Sequence, residues 1–498
     1  MTRILSVDNM RRSDAQTIAD GTPGRELMFR AGKGIFESTG WEPPVGIVCG
    51  SGNNAGDGFV IAELLHDAGI ACDIILLSEK ASEDGAYYLG LCRDAGIPVI
   101  SWNSSLSLRK YSTIADCIFG TGFRGPVQGI AREAIEAINA SGAFVVSVDI
   151  NSGLNGDSGM AECCVRSGLT VSVGGWKPGH FLNMAKDVME KKISLDIGIE
   201  PVSRTYGLVE AADIKGLFTP RPNFSHKGTY GYTALVGGSR KYCGAIRLAH
   251  MANAAVRSGA GVVKLAVPGI LYPVIAPAVL ESTLYPLSDD GDQVVFSEQE
   301  IAGLISGIRT AAFGMGIGTG EGAFRALDYL LAHFTGTLIV DADGLTLLSR
   351  MDQERIRSAS CSLILTPHMK EFSRLSGMEI QDILANPVTA AETYAKETGT
   401  ILLLKGPSTI ITDGGKTWIT DAGCSGMATA GSGDVLSGIL AAVAAYAPDL
   451  LLGTAAAAYI NGRAGELAQR RMGSVSMAAG DTVSCIPEIV RELEKAAY

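Results

Sequence analysis

Residues 45–59 read VGIVCGSGNNAGDGF, in which a β-branched run leads into a glycine-rich loop and then into a helical pattern. Short apolar runs alternate with amphipathic segments from there onward, and the further runs include CDIILL (72–77), STIADCIFG (112–120) and AFVVSVDI (143–150). This alternation is typical of right-handed βαβ units around a parallel sheet. The first half is therefore predicted to be a doubly wound, three-layer α/β sandwich, with two helices over residues 8–38 covering one face of the sheet.

The alternation stops between about 198 and 225, where the chain enters TPRPNFSHKGTYG (219–231), a stretch with the prolines, glycines and basic residues of a loop. It then resumes with YTALVGG (232–238), VVKLAV (262–267), TLIVDADG (337–344) and TILLLKG (400–406). A second α/β domain is predicted, with a few antiparallel strands near its end and two late helices at about 433–447 and 452–469. The expected domains are residues 1–210 and 220–498.

Composition excludes several classes of protein. The 498 residues are enough for two or three domains with cores of their own. The 41 basic and 52 acidic side chains give a net charge of −11, which argues against a nucleic-acid or anionic-membrane partner. Ten scattered cysteines without a CxxC pair favour a reducing compartment over zinc or disulfides. With no signal-peptide pattern, and no apolar run longer than 439–447, a cytoplasmic protein is expected.

Polar side chains cluster at predicted strand ends of the first half. The glycines of residues 50–58 let backbone amides approach a ligand, and the helix start that follows favours a phosphate. Asn53, Asn54 and Asp57 lie in the same loop, while Asp149 ends a later strand, where the ligand crevices of open α/β sheets form. These features predict a phosphate-bearing ligand in a crevice that Asp149 borders. The alternative is an ordinary glycine-rich turn, with Asp149 capping the SGL turn that follows it.

The second half contains GMATAGSGDVLSG (426–438) directly before an apolar helix. Gly431, Ser432 and Gly433 would present consecutive N–H groups to an anion, and Asp434 beside them could accept the proton of an attacking hydroxyl. That is the minimum machinery for phosphoryl transfer. A glycine-rich helix cap with Asp434 as a first-turn charge is the alternative. No GxxxxGK[ST] motif occurs, so a Walker-type loop is not predicted.

Four motifs of the first half occur in a characteristic order: GSGNNAGDG (50–58), DCIFGTGFRG (116–125), VDINSGLNGDSG (148–159) and WKPGH (176–180). In these motifs, over about residues 8–200, the chain resembles the epimerase domain of the bacterial bifunctional NAD(P)H-hydrate repair enzymes. The resemblance implies a Rossmann-like domain that interconverts R- and S-NADHX and NADPHX, with Asp149 catalytic and K⁺ on Asn54, Asp116 and Ser152. The residues that would line the nucleotide are Asn53, Asn54, Ala55, Gly56, Asp57, Gly120, Thr121, Gly122, Phe123, Arg124 and Gly125.

The second half adds HKGTYGYTALVGG (226–238), MGIGTG (315–320), ILTPHMKEF (364–372) and LLLKGPSTII (402–411). With the GSGD run, these motifs resemble the ribokinase-like, ADP-dependent NAD(P)HX dehydratase domain over about residues 220–495. The resemblance implies catalysis by Asp434, a homo-oligomer, and Mg²⁺ at the phosphates of ADP, for which the sequence names no ligand. It places ADP on Lys405, Gly406, Pro407, Ser408, Thr409 and Gly433, and the hydrate on Ala255, Gly318, His368 and Asp434.

Six positions depart from the pattern of this family. Phe29, Ala55 and Asn151 stand where glutamate, glycine and proline are usual, and Ala55 would be strained if its position needs a positive φ. Lys370 replaces a glycine, while Cys424 and Ser425 replace an Asn-Pro pair.

Two other functions remain in competition. A ribokinase-type small-molecule kinase shares the GSGD run, although it would have no use for an epimerase-like half. A binding scaffold is disfavoured because Asp149, Asp434 and the other strand-end polar residues are all present.

Overall fold

The computed structural model describes the backbone of residues 2–253 and 255–496, and the side chains of 2–251 and 257–496. The chain forms two compact units that divide between Tyr206 and Gly207. Residues 207–219, which the sequence-based boundaries left mostly between the domains, thus belong to the C-terminal unit. The physical reason is a strand at this point, since Gly207 and Leu208 pair with Trp418 and Ile419.

The N-terminal unit alternates strands and helices as predicted, including the two early helices. Its elements, with the first strand at the boundary, are β1 (Thr2–Ile4), α1 (Val7–Ala19), α2 (Gly24–Ser38), β2 (Val45–Cys49), α3 (Asn53–Asp67), β3 (Cys72–Leu76), α4 (Glu83–Asp94), β4 (Val99–Ser101), β5 (Thr113–Cys117), α5 (Gly129–Asn139), β6 (Phe144–Val148), β7 (Leu169–Val173), α6 (Ala185–Val188) and β8 (Lys192–Leu195).

Strands β2 to β8, all of them within the described residues, form a parallel sheet in the order β4-β3-β2-β5-β6-β7-β8. Alternate side chains of β2 face opposite layers, as the pleat of a strand requires. Ile47 packs with Phe59 of α3, whereas Val48 packs with Ile135 of α5. The predicted three-layer α/β sandwich is confirmed. The order in which strands are added reverses between β2 and β5: the chain builds outward from β2 to β4, and then in the opposite direction from β5 to β8. A ligand crevice is therefore expected at the carboxyl ends of β2 and β5.

The C-terminal unit contains the elements β9 (Tyr206–Leu208), α7 (Ala211–Ile214), β10 (Tyr232–Val236), α8 (Cys243–Asn253), α9 (Ala255–Ser258), β11 (Val262–Pro268), α10 (Tyr272–Ile275), β12 (Thr283–Leu287), α11 (Glu298–Ile305), β13 (Thr310–Phe313), α12 (Glu321–His333), β14 (Thr337–Val340), α13 (Asp343–Leu348), α14 (Gln353–Arg357), β15 (Ser362–Leu365), α15 (Met369–Ser376), α16 (Ile380–Ala385), α17 (Pro387–Thr398), β16 (Ile401–Leu404), β17 (Thr409–Thr412), β18 (Thr417–Thr420), α18 (Ser432–Ala444), α19 (Leu450–Met472) and α20 (Ala479–Ala496).

Its sheet runs in the order β9-β18-β17-β16-β15-β14-β13-β10-β11-β12. The strands from β10 to β16 are parallel, and β17 is antiparallel to both of its neighbours, as the sequence predicted for the end of this domain. Helix α20 has no counterpart among the predicted elements. The carboxyl ends of β14 and β16 lie near the start of α18, which the following section describes. No helix in the described parts of the chain is long and apolar enough to cross a membrane.

Candidate active sites

A cavity of about 500 Å³ lies at the carboxyl ends of β2, β5 and β6. A volume of this size suits a small-molecule ligand. Most of the residues predicted for the first site line it, namely Asn53, Asn54, Asp57, Gly120, Thr121, Gly122, Phe123 and Asp149. Ala55 and Gly56 face the core side of α3 instead, and Arg124 and Gly125 also lie outside the described lining. An alanine Cβ at Gly120 would stand 3.1 Å from Asp149 Oδ2, so the absent side chain keeps this carboxylate accessible.

Asp149 follows β6 directly and has a φ of 64°, which is unusual for a residue with a side chain. Its carboxylate accepts hydrogen bonds from Thr121 N (2.9 Å) and Thr121 Oγ1 (2.8 Å). The Lys177 ammonium donates to Asp149 Oδ1 at 2.7 Å. Burial raises the pKa of Asp149, but the lysine and the hydrogen bonds outweigh it and lower this pKa to about 2. The carboxylate is therefore ionised at neutral pH, and its bonds to Thr121 and Lys177 replace the alternative of an SGL-turn cap.

Lys177 and His180 complete this arrangement, although the sequence reasoning gave neither a role. Lys177 is 1% exposed and also donates to the carbonyl of Val173 at 2.7 Å. His180 Nε2 lies 2.7 Å from the carbonyl oxygen of Asp149, and burial lowers the pKa of this histidine to about 4. A neutral imidazole thus fixes the backbone of the strained residue while a buried ammonium fixes its side chain. The sequence signal that could have revealed both residues is the WKPGH run (176–180), in which a lysine lies between a tryptophan and a proline.

The second site is built at the start of α18, where Gly431 has a φ of 95° and precedes the helix. This left-handed conformation favours glycine, and the helix that follows it begins beside the residues that follow β14 and β16. An added Cβ at Gly433 would meet Lys405 Nζ at 3.3 Å and Asp341 Oδ2 at 3.7 Å. A lysine ammonium beside exposed helix-start N–H groups forms an anion site. Lys405 and Gly433, both predicted for ADP, are brought together.

Asp341 anchors this second site beneath the helix start. It follows β14 and is 2% exposed, with Oδ1 accepting from Lys405 Nζ at 2.9 Å and Oδ2 accepting from Ser437 Oγ at 2.7 Å. Burial acts to raise the pKa of Asp341, but Lys405 and Ser437 hold it below its ordinary value. Its neighbour Ala342 has a φ of 50°. The sequence reasoning noted the DADG run without assigning this role to Asp341.

Asp434 lies in the first turn of α18 and is only partly exposed. Burial and the negative charge of Asp341 raise the pKa of Asp434 to about 7, with Lys405 opposing the shift. A carboxylate with a pKa near neutrality is well matched to general-base catalysis. The structure therefore places a lysine, a helix start and a poised carboxylate together, as phosphoryl transfer requires.

The comparisons with known proteins cover both units. Residues 24–179 match the family model described as YjeF-related protein N-terminus, and residues 233–488 match the model described as NAD(P)H-hydrate dehydratase. A bifunctional NAD(P)H-hydrate repair enzyme Nnr of Methanothermobacter thermautotrophicus is 33% identical over 98% of this chain and 95% of its own. The chain belongs to the family of bifunctional NAD(P)H-hydrate repair enzymes. The repair function predicted from the sequence, with an epimerase half and a dehydratase half, is thereby confirmed.

Two further relatives extend this result. The Nnr enzyme of Coxiella burnetii is 28% identical over 97% of this chain and 98% of its own. A solved ADP/ATP-dependent NAD(P)H-hydrate dehydratase from Bacillus subtilis, co-crystallised with ATP and Mg²⁺, has a TM-score of 0.51 at 26% identity, covering 59% of this chain and all of that one. The predicted ribokinase-like fold of the C-terminal half is confirmed. The restriction to bacterial enzymes is not supported, because the relatives include archaeal proteins.

Three departures from the family pattern now have a structural explanation. Ala55 lies inside α3, fully buried and without a positive φ, so its methyl group causes none of the anticipated strain. Asn151 is buried, and its amide donates to the carbonyls of Val165 and Val188, both at 2.9 Å. It thereby ties the loop after β6 to its neighbours, as a proline could not. Phe29 packs against the apolar core of its unit.

Of the three predicted potassium ligands, Asp116 and Ser152 are hydrogen-bonded to each other, whereas the side chain of Asn54 has no protein partner. The buried Asp116 carboxylate accepts from Ser147 Oγ and from Ser152 N, each at 2.9 Å, and from the Ser152 hydroxyl. Burial raises the pKa of Asp116 while these hydrogen bonds oppose the rise. Asn54 is 7% exposed, and both polar atoms of its side chain lack a protein partner. Such an amide calls for a ligand.

Only some of the other residues predicted for the dehydratase half lie near Lys405 and Asp434. His368 caps α15 by accepting from Lys370 N at 3.1 Å, and it neighbours Lys405 across the strand ends. Gly318 N donates to Asp343 Oδ2 at 2.9 Å. Ser408 donates to Asp421 at 3.3 Å, Thr409 begins β17, and Gly406 and Pro407 connect Lys405 to them. The side chain of Ala255 lies outside the described residues. Nothing in the structure explains Lys370, Cys424 or Ser425.

Proposed function

We propose that the N-terminal unit interconverts the R and S epimers of NADHX and NADPHX in the cavity at Asp149, and that the C-terminal unit dehydrates the S epimer with ADP at Asp434. The observation that carries this assignment is that the pKa values of Asp149 and Asp434 are shifted in opposite directions. Lys177 lowers the pKa of Asp149 to about 2, whereas burial raises that of Asp434 to about 7. One remains an ionised acceptor throughout the physiological range, and the other exchanges a proton near pH 7.

The hydrate carries its hydroxyl on ring carbon 6, next to the ring nitrogen. When the C–O bond breaks, the nitrogen lone pair stabilises the resulting cation, and a water molecule can then add to either face. Asp149 accepts the proton of the incoming water, because its carboxylate is ionised and lines the cavity. Thr121 and Lys177 hold the carboxylate in place, so little reorganisation is needed during the reaction.

In the C-terminal unit, Asp434 accepts the proton of the 6-hydroxyl as its oxygen attacks the β-phosphorus of ADP. The bond to AMP breaks, and the phosphoryl group is transferred to the hydrate. The ring nitrogen then expels phosphate, and loss of a ring proton gives NAD(P)H. Lys405 and the start of α18 stabilise the negative charge on the transferred group.

We assign K⁺ to Asn54, Asp116 and Ser152, whose oxygen atoms suit a hard cation and which include the unpaired amide of Asn54. Bound there, K⁺ would supply positive charge beside the nucleotide. Mg²⁺ commonly takes one or two protein carboxylates together with substrate phosphates. Asp343 is the candidate in the C-terminal unit, because its charge acts on the same cluster as Asp341 and Asp434 while Asp434 is left free to accept a proton.

We further propose a homo-oligomer in a reducing, cytoplasmic setting. Phe224, Leu280 and Val475 are each at least 85% exposed, and burying such a side chain against a second copy would remove apolar surface from water. All ten cysteines are free. Light scattering on the purified full chain measures the oligomeric state directly.

The deciding experiment supplies purified S-hydrate with ADP or ATP and records the absorbance of reduced nicotinamide. Recovery of NAD(P)H with release of phosphate is expected. A stable phosphorylated product without recovery would instead identify the chain as a small-molecule kinase.

A further inference from the structure

A second carboxyl group shares the epimerase cavity with Asp149. Asp57 lies on α3, is 9% exposed and lines the same cavity. Among residues 3–206, all of which the structure describes, no group donates a hydrogen bond to its carboxyl oxygens. Asp149, by contrast, receives hydrogen bonds from Thr121 and Lys177. One acid is thus surrounded by donors, while the other is nearly buried without one.

The surroundings of Asp57 favour its neutral form. The charged groups that line the cavity with it are Arg11 and Asp14 of α1, Asp84 of α4, Asp149 after β6 and Lys177 after β7. Burial, followed by the negative charges of Asp149 and Asp14, raises the pKa of Asp57 well above its usual range, and Lys177 only partly opposes this. Two carboxyl groups whose environments separate their protonation states in one cavity are a common acid–base arrangement.

We propose that Asp57 is the catalytic acid of the epimerisation and works in tandem with Asp149 as the base. This role rests on the proposed epimerase function of the cavity. The Asp57 proton passes to the 6-hydroxyl, the C–O bond breaks with its electron pair on oxygen, and water leaves. The ring nitrogen lone pair forms the C=N bond of the cation. Water then adds to the opposite face, and Asp149 accepts its proton.

The proposed epimerisation needs no oxidant or reductant, because only protons and water are exchanged. One turnover leaves Asp57 ionised and Asp149 protonated, and both return to their starting states by proton exchange with water or by a turnover in the reverse direction. Asp149 alone, ionised at neutral pH, has no proton to give to the departing hydroxyl. A neutral Asp57 that only donated a hydrogen bond to the nucleotide would act on KM, and the test below separates this effect from an effect on kcat.

The test uses the full chain and purified R-hydrate without ADP, with both epimers followed by chromatography between pH 5 and 9. The wild-type kcat is expected to fall with rising pH as Asp57 ionises. Asp57→Asn should lower kcat about 10²-fold or more, the usual loss when a general acid is removed, and should abolish that alkaline fall. KM should change less than about threefold. Asp57→Glu should restore part of kcat and the alkaline fall.

Asp67→Asn, on the exposed last turn of the same helix, is the matched control and should behave as wild type. Denaturant unfolding of the N-terminal unit reports that each variant is folded, because the dehydratase at Asp434 lies in the other unit. If Asp57→Asn keeps its kcat, or loses activity only through KM, the acid role is wrong. An alkaline fall that persists in Asp57→Asn also overturns it. A wild-type chain that does not interconvert the epimers would overturn the epimerase function itself, whatever the variants do.

Discussion

Single residues determine which proton each active site can move. Asp149 and Asp434 have the same side chain, yet their pKa values are about 2 and about 7. A buried lysine causes the first value, and burial beside Asp341 causes the second. These shifts depend on contacts between residues far apart in the chain, such as Asp341 with Lys405. Sequence reasoning therefore found both carboxylates but could not assign their protonation states.

For the dehydratase, this difference predicts a pH profile. Asp434 must be ionised to accept a proton, so kcat/KM of ADP-dependent dehydration should rise with pH through about 7 and then level off. Asp434→Asn should remove this rise and lower the rate about 10²- to 10⁴-fold. Asp382→Asn, exposed on α16, is the control and should retain the wild-type profile. A profile flat from pH 5 to 9 in the wild type would contradict the assignment.

In the epimerase cavity, Lys177→Met should destabilise the N-terminal unit. It removes the partner of a largely buried carboxylate, which typically costs about 3–5 kcal/mol. Above its unfolded pKa, the low folded pKa of Asp149 stabilises the native state, and that contribution disappears as pH falls toward 2. Denaturant unfolding at pH 7 and at acid pH measures both effects. The exposed pair of Lys33 and Glu37 provides a control, because Lys33→Met should change stability by less than about 1 kcal/mol.

At the scale of elements, the sequence predicted most of the fold. Period-2 and period-3.6 patterns identified the βαβ alternation and the antiparallel end of the second sheet. Helix α20 was missed: its strongest signal is an amphipathic face interrupted by Pro487, and its apolar residues complete a core built from distant elements. The boundary at residue 206 depends on the pairing of β9 with β18, which no local pattern reveals.

At this scale, we predict that the start of α18 requires glycine at position 431. Gly431→Ala places a side chain at a φ of 95° and brings a Cβ within 2.4 Å of Leu248 Cδ1. A loss of at least about 1–2 kcal/mol is expected, with a raised KM for ADP because the helix-start N–H groups move. Gly480→Ala in α20 has open space around the new methyl group and should be neutral or slightly stabilising. Thermal unfolding and dehydration kinetics of both variants provide the comparison. If the two variants had the same stability and the same KM for ADP, the requirement for glycine at the start of α18 would be refuted.

At the scale of the whole molecule, two complete sites on one chain predict separable defects. With a mixture of hydrate epimers and excess ADP, Asp149→Asn should convert the S fraction and then stop, leaving the R epimer. Asp434→Asn should keep interconverting the epimers and form no NAD(P)H. Chromatography of both epimers over the time course measures each defect. Complete and rapid consumption of the R epimer by Asp149→Asn would show that Asp149 is not essential for the interconversion.

The left-handed backbone at Asp149 and Ala342 also affects how this enzyme would respond to laboratory evolution. Glycine adopts φ values of 64° and 50° without the penalty that a side chain incurs. Selection for heat resistance alone would thus enrich glycine at position 342, where only a methyl group is lost. At position 149 the carboxylate also pairs with the buried Lys177 ammonium, so glycine would relieve the backbone but lose the larger contribution of the ion pair. A thermostabilised form of this enzyme is therefore expected to keep aspartate at position 149 even when turnover is not part of the selection.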